Sequence, residues 1–127
     1  MMVTREEEKR ILNSIGNDVK FGYPSPEPHF QGKLKDRCVM WAPSWTDVPY
    51  WDVVDLIEYT KPEKFLALRF GYYRKSKGKL IWGSQTTLTE PIETFKELFV
   101  KAAGEKKWFK DFLEGVLNEV KQSKQST

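Results

Sequence analysis

The sequence predicts an α+β fold: an N-terminal helix, an antiparallel sheet of three to four strands, and two C-terminal helices packed on one face of that sheet. Three observations carry this. Apolar residues recur at helical intervals at both ends of the chain, valine- and aromatic-rich runs fill the middle, and Pro- or Gly-bearing turns separate those runs. At 127 residues the length suits one domain with a proper core and is short for two. A single domain over 1–127 is therefore expected, with an N-terminal helix (1–16), a proline-rich connector (17–36), an antiparallel sheet (37–89) and C-terminal helices (90–121).

Thr4 and Glu7 have capping-box spacing, and Ile11, Leu12 and Ile15 recur helically before Gly16 closes the end, so the first helix spans 5–14. In 17–36, Pro24, Pro26 and Pro28 alternate with Ser25, Glu27 and His29, and no period survives. That stretch reads as an extended connector whose Phe21, Tyr23 and Phe30 pack against the domain. A short strand is expected over 37–41, stopped by Pro43 and the turn-like Ser44-Trp45-Thr46-Asp47. A second spans 51–59, and Lys61-Pro62-Glu63-Lys64 turns the chain into the clearest strand, 65–74. After Lys75-Ser76-Lys77-Gly78, a strand returns over 80–88. Thr89 is placed to cap a helix with Pro91 just inside it and a buried stripe of Ile92, Phe95, Leu98, Phe99 and Ala102. Gly104 separates this from a last helix over 105–120, followed by a polar tail.

Charge is concentrated in one place. Between Lys61 and Gly83 stand Lys61, Lys64, Arg69, Arg74, Lys75, Lys77 and Lys79 against the single acid Glu63, a formal +6 in a chain whose net charge is +3. Phe65, Phe70, Tyr72, Tyr73 and Trp82 are interleaved with those cations. Cations that meet phosphates and flat rings that stack on bases are the composition that single-stranded nucleic acid requires. The competing explanation is a solvated hairpin whose lysines protect an edge strand. It accounts for each residue singly and less well for all of them together.

Alternation along 65–75 places Phe65, Ala67, Arg69, Gly71, Tyr73 and Lys75 on one side, the expected binding side. Leu66, Leu68 and Phe70 fall on the other, the expected core side. Gly71 would let a base or another backbone approach closely. The hairpin tip with Arg74, Lys75, Lys77 and Lys79 reaches phosphates, and the rings of Trp41, Trp45, Tyr50 and Trp51 stand near the ends of the sheet, where they wall a groove.

Other chemistry finds little support. No glycine-rich phosphate loop of the Walker or dinucleotide type occurs. His29 and Cys38 are one histidine and one cysteine, too few for a metal site. Asp52 with Asp55, or Asp47 with Glu58, could serve as a carboxylate pair for a nuclease or glycosidase, but such pairs are common in a chain this acidic and no nucleophile or base assembly accompanies them. No enzymatic activity and no cofactor are expected. A lone cysteine, and charged residues close to the N-terminus where a signal peptide would be apolar, make a reducing cytoplasm the expected compartment. Abundant Lys and Glu with one Cys are compatible with a heat-loving source. No apolar run approaches membrane-spanning length.

From Lys64-Phe65-Leu66-Ala67-Leu68-Arg69-Phe70-Gly71-Tyr72-Tyr73 through Gly78-Lys79, Gly83 and Thr87-Leu88-Thr89 to Phe95-Lys96-Glu97-Leu98, the pattern resembles the DNA-binding core of the transcriptional coactivator called positive cofactor four. There too an Arg- and Tyr-bearing strand, a Gly-Lys turn, a short strand ending in Leu-Thr and a helix follow in order. The connector, the tryptophan-rich strands and the last helix depart from that family. The chain as a whole is similar to the archaeal ThermoDBP proteins and their relatives, small domains with a helix-flanked antiparallel sheet that bind single strands. That resemblance implies a cleft in which rings hold bases, with Trp45, Trp51, Phe65, Tyr73 and Trp82 as candidates. Flanking cations would be Arg69, Arg74, Lys75, Lys77 and Lys79. Both families form dimers or larger assemblies. In agreement, Trp108, Phe109, Phe112, Leu113, Val116, Leu117 and Val120 cover a wider arc of the last helix than one sheet face needs.

The expected function is largely sequence-independent binding of single-stranded DNA or RNA by a homodimer or higher homo-oligomer formed through the C-terminal helix. A protein-interaction or assembly module without nucleic-acid binding is the alternative.

Overall fold

A computed structural model describes residues 3–21, 30–42, 50–83 and 87–125. They fall into two compact units, Met1–Thr89 and Glu90–Thr127. The class is α+β, with one five-stranded antiparallel sheet where three to four strands were expected.

The first unit opens with α1 (Val3–Leu12), which carries Glu6 in its first turn and Lys9 and Arg10 in its last, complementing the helix dipole at both ends. Thr4 lies inside this helix, not at its cap. A turn over 13–16 leads into β1 (Asp18–Phe21), and β2 (Phe30–Ala42), β3 (Tyr50–Lys61), β4 (Phe65–Ser76) and β5 (Lys79–Trp82) follow as a meander in chain order. The expected connector thus contains a whole strand and the first half of β2; its proline-rich segment lies outside the described residues. Irregular register at Gln31/Gly32 and Leu34/Asp36 breaks the two-residue period of β2 and explains why alternation is invisible there. Beyond the second bulge the register runs unbroken from Asp36↔Leu56 to Ala42↔Tyr50.

The sheet buries a core against α1. Ile11, Val39, Trp51 and Val53 form it, with Tyr73, Leu80 and Trp82 packed at its margin. Each fully buried aliphatic of this kind contributes about 1.5–3 kcal/mol. The cross-strand pairs Val39↔Val53 and Trp51↔Tyr73 put this cluster on the side that also holds Arg69, which is the side expected to be open. The side expected to be core is the more exposed along β4: Leu66 is 59 % exposed and Phe70 40 %. The alternation is as expected, and the division into one core side and one open side is not: β3 is buried on both faces, at Val54 and Leu56 as at Trp51 and Val53, and Phe65 on the expected binding side is as exposed as Phe70.

The second unit contains α2 (Ile92–Glu105) and α3 (Lys107–Gln125). Pro91 occupies the N-cap without a side-chain cap bond, and its carbonyl accepts from the backbone of Thr94 and Phe95, so the expected Thr89 cap is replaced by a position two residues on. Gly104 stays helical. The break falls at Lys106, whose extended backbone (φ −126°, ψ 112°) separates the helices. Leu98, Ala102 and Phe109 are buried, and Phe109 meets Phe99 edge-on at 5.2 Å. Among the described residues no helix is long and apolar enough to cross a membrane.

Candidate functional site

Arg37 of β2 and Asp55 of β3 are opposite charges buried on one face of the sheet. Arg37 follows the second bulge of β2, Asp55 sits at the middle of β3, and register pairs them directly. Both are buried, at 1 % and 0 % exposure of the side chain. Arg37 Nε and Nη2 donate to the two Asp55 carboxylate oxygens at 2.7 and 3.0 Å. Its Nη1 donates to the Ile11 carbonyl and to Tyr73 Oη, each at 2.9 Å. The first of these satisfies a carbonyl of the last turn of α1, where a cation also suits the dipole. Burial works against the Arg37 charge, yet Asp55 and Tyr73 outweigh it and hold the guanidinium above its ordinary value.

From the other flank β4 presents Arg69, paired across the sheet with Asp55. Its Nε and Nη2 both donate to Asp55 Oδ2, at 3.0 and 2.9 Å. One carboxylate therefore serves two guanidiniums, and the cluster keeps a net positive charge. That surplus surfaces at Arg69, whose side chain is 33 % exposed. Among the described residues its Nη1 donates to nothing.

Trp82 completes the arrangement. It pairs with Tyr73 across the β4–β5 ladder, with ring centroids 4.9 Å apart, and the Arg69 guanidinium lies 4.9 Å from the indole centroid. A cation so close to an indole face is favourable and fixes both groups. Gly71 makes the position available: a methyl group there would overlap the indole ring. The close approach expected of Gly71 is filled by the chain's own Trp82. Arg37, Arg69, Tyr73 and Trp82 line an open groove of about 330 Å³ whose rim includes Asn17, Asp18 and Lys20.

Of the expected site residues, the groove brings together Arg69, Tyr73 and Trp82. Trp51 is a core residue with no surface to offer a base. Lys75 reaches the buried Glu7 of α1 at 3.3 Å and ties helix to sheet. Arg74 pairs with Tyr50 and Ile81, on the opposite side of β4 from Arg69. Lys77 and Lys79 are exposed at the hairpin tip. Phe65 lies on the groove's face, eight residues along β4 from Tyr73. Trp45, His29 and Asp47 lie outside the described residues. Of the weighed carboxylates, Asp55 is committed to two arginines and Asp52 lies on the opposite face of β3. Among the described residues no group of three or more His, Cys, Asp or Glu side chains is placed to hold a metal ion.

Sequence reasoning missed Arg37 and the role of Asp55. The signal was present: a single Arg before Cys38-Val39-Met40 and a single Asp within Val53-Val54-Asp55-Leu56-Ile57 are opposite charges in two apolar strands, which is how a buried pair reads. Compared with known proteins, the chain matches no family model, no curated protein and no solved structure.

Proposed function

We propose that the chain binds single-stranded DNA or RNA with little sequence preference, in the manner implied by its resemblance to the ThermoDBP proteins. The observation that carries this reading is Arg69, held between a buried carboxylate and a partly buried indole in the lining of an open groove. Its remaining donors suit a phosphate oxygen, and Trp82 with Tyr73 supplies ring surface beside it. Stacking contributes about 1–3 kcal/mol per base, and the hairpin cations add counterion release. The partner needs no cofactor and undergoes no reaction; the compartment is the cytoplasm, where Cys38 remains a thiol.

The test is a titration with unlabelled single-stranded DNA, single-stranded RNA and duplex DNA under one salt condition, read by tryptophan fluorescence. Quenching by the single strands, weaker binding of the duplex and an affinity that falls with salt are expected. Absence of quenching and of salt-dependent affinity at micromolar protein would sink the reading.

One observation favours the assembly alternative. Phe112, Val116, Leu117 and Val120 of α3 are each roughly half exposed and recur on one helical face. A homodimer formed through α3 would cover them, and it is compatible with strand binding by the sheet.

A further inference from the structure

We infer that the sheet carries a second base-stacking platform, formed by Phe21, Phe30, Tyr59 and Phe65, at the far end of the face that holds the Arg69 groove. This deepens the single-strand reading and rests on it. Tyr59 and Phe65 face each other across the β3–β4 ladder and stack at 5.0 Å with their planes 29° apart. Phe30 sets its edge against both, at 5.9 and 6.0 Å, and Phe21 extends the cluster from β1 at 6.3 Å from Phe30.

The β3–β4 register is unbroken from Tyr59↔Phe65 to Tyr50↔Arg74, so Phe65, Arg69 and Tyr73 share one face of β4 at intervals of four. At about 3.3 Å per residue this places ring, cation and ring along roughly 26 Å. A strand rising about 3.4 Å per nucleotide covers that span with about eight nucleotides, and an extended strand with fewer. The footprint lies within the range of small single-strand-binding domains.

A ring cluster that served packing alone would be covered. Here Phe21 is 52 % and Phe65 40 % exposed, which forgoes part of the 1.5–3 kcal/mol or so that burial of each would contribute. The occupant is a nucleic-acid strand and not an apolar peptide because of the surrounding charge. Lys61 and Lys64 are exposed on either side of the β3–β4 turn, Lys20 precedes Phe21, and the same face continues into the cation-bearing groove.

Thymidine oligomers of about four and about twelve residues distinguish the possibilities, bracketing the span above. They are titrated onto the wild type, Phe65→Leu and Phe21→Leu, substitutions that keep apolar volume and remove the ring. The second platform contains no tryptophan, so fluorescence quenching reports the first. The wild type is expected to bind the long oligomer well beyond the statistical gain of length. Each substitution is expected to weaken the long oligomer about five- to tenfold and to leave the midpoint of quenching by the short oligomer, which reads the tryptophan-bearing groove, where it was. A length gain that survives both substitutions overturns the second platform and leaves the groove reading intact. So does a loss that is equal at both lengths. Failure of both oligomers to bind the wild type overturns both.

Discussion

Arg37 performs three tasks with one side chain: it neutralises Asp55, ends α1 and orients Tyr73. Its raised pKa means that this charge contributes fully below the ordinary arginine range and is lost only as pH rises beyond the raised value, so stability should show no titration of Arg37 at acid or neutral pH. Asp55 is the more sensitive position. Asp55→Asn leaves a buried guanidinium facing another without a counterion, and a loss of about 3–5 kcal/mol in urea unfolding is expected. Arg69→Ala leaves Asp55 bonded to Arg37 at both oxygens, and the partly exposed pair it removes is worth about 1 kcal/mol or less. For strand binding the order reverses in kind: Arg69→Ala should lower the slope of log affinity against log salt by about one while the fold persists. Equal destabilisation by the two substitutions would contradict the division of labour between Arg37 and Arg69.

The β4–β5 hairpin turns through Lys77 (φ 51°) and Gly78 (φ 78°), flanked by the Ser76↔Lys79 pair. Positive φ at both central residues is the two-residue turn that matches strand twist, and lysine is poorly suited to it. Lys77→Asn is expected to raise stability by about 0.5–1 kcal/mol in thermal or urea unfolding, since Asn tolerates the left-handed region. If the tip contacts phosphates, the same substitution weakens strand binding and reduces its salt dependence, so stability and affinity move in opposite directions. Legibility also differed by element. β3 and β4 were evident because their apolar runs are long and end in Pro- or Gly-bearing turns. β1 and the first half of β2 were not, because two bulges and polar residues such as Lys33 and Lys35 erase the period. Of the strand expected over 80–88, β5 holds the start: it ends at Trp82, Gly83, Thr87 and Leu88 lie outside any strand despite the strand propensity of threonine, and 84–86 are not among the described residues.

Across the molecule, two of the seven hairpin cations are tied to buried acids, Lys75 to Glu7 and Arg69 to the Asp55 that it shares with Arg37. The groove was legible in part. Arg69, Tyr73 and Trp82 could be named, whereas the partners that orient them come from strands whose contributions depend on register, a property of pairing and not of any one segment. The second unit raises a separate question, which sedimentation velocity answers. The apolar stripe of α3 predicts self-association at micromolar concentration, and Leu117→Glu should shift the population to monomer without changing the helical signal in circular dichroism. An unchanged sedimentation coefficient would exclude α3 as the contact.

Gly71 specifies the groove by what it lacks. Because Trp82 occupies the space of a missing side chain, the smallest possible addition, Gly71→Ala, would displace the indole while every charge and hydrogen-bonding group remained chemically intact. That substitution separates shape from electrostatics. A protein that keeps its salt dependence but loses fluorescence quenching would locate discrimination between stacked and unstacked bases in the seating of a single ring, determined from the neighbouring strand by one hydrogen atom.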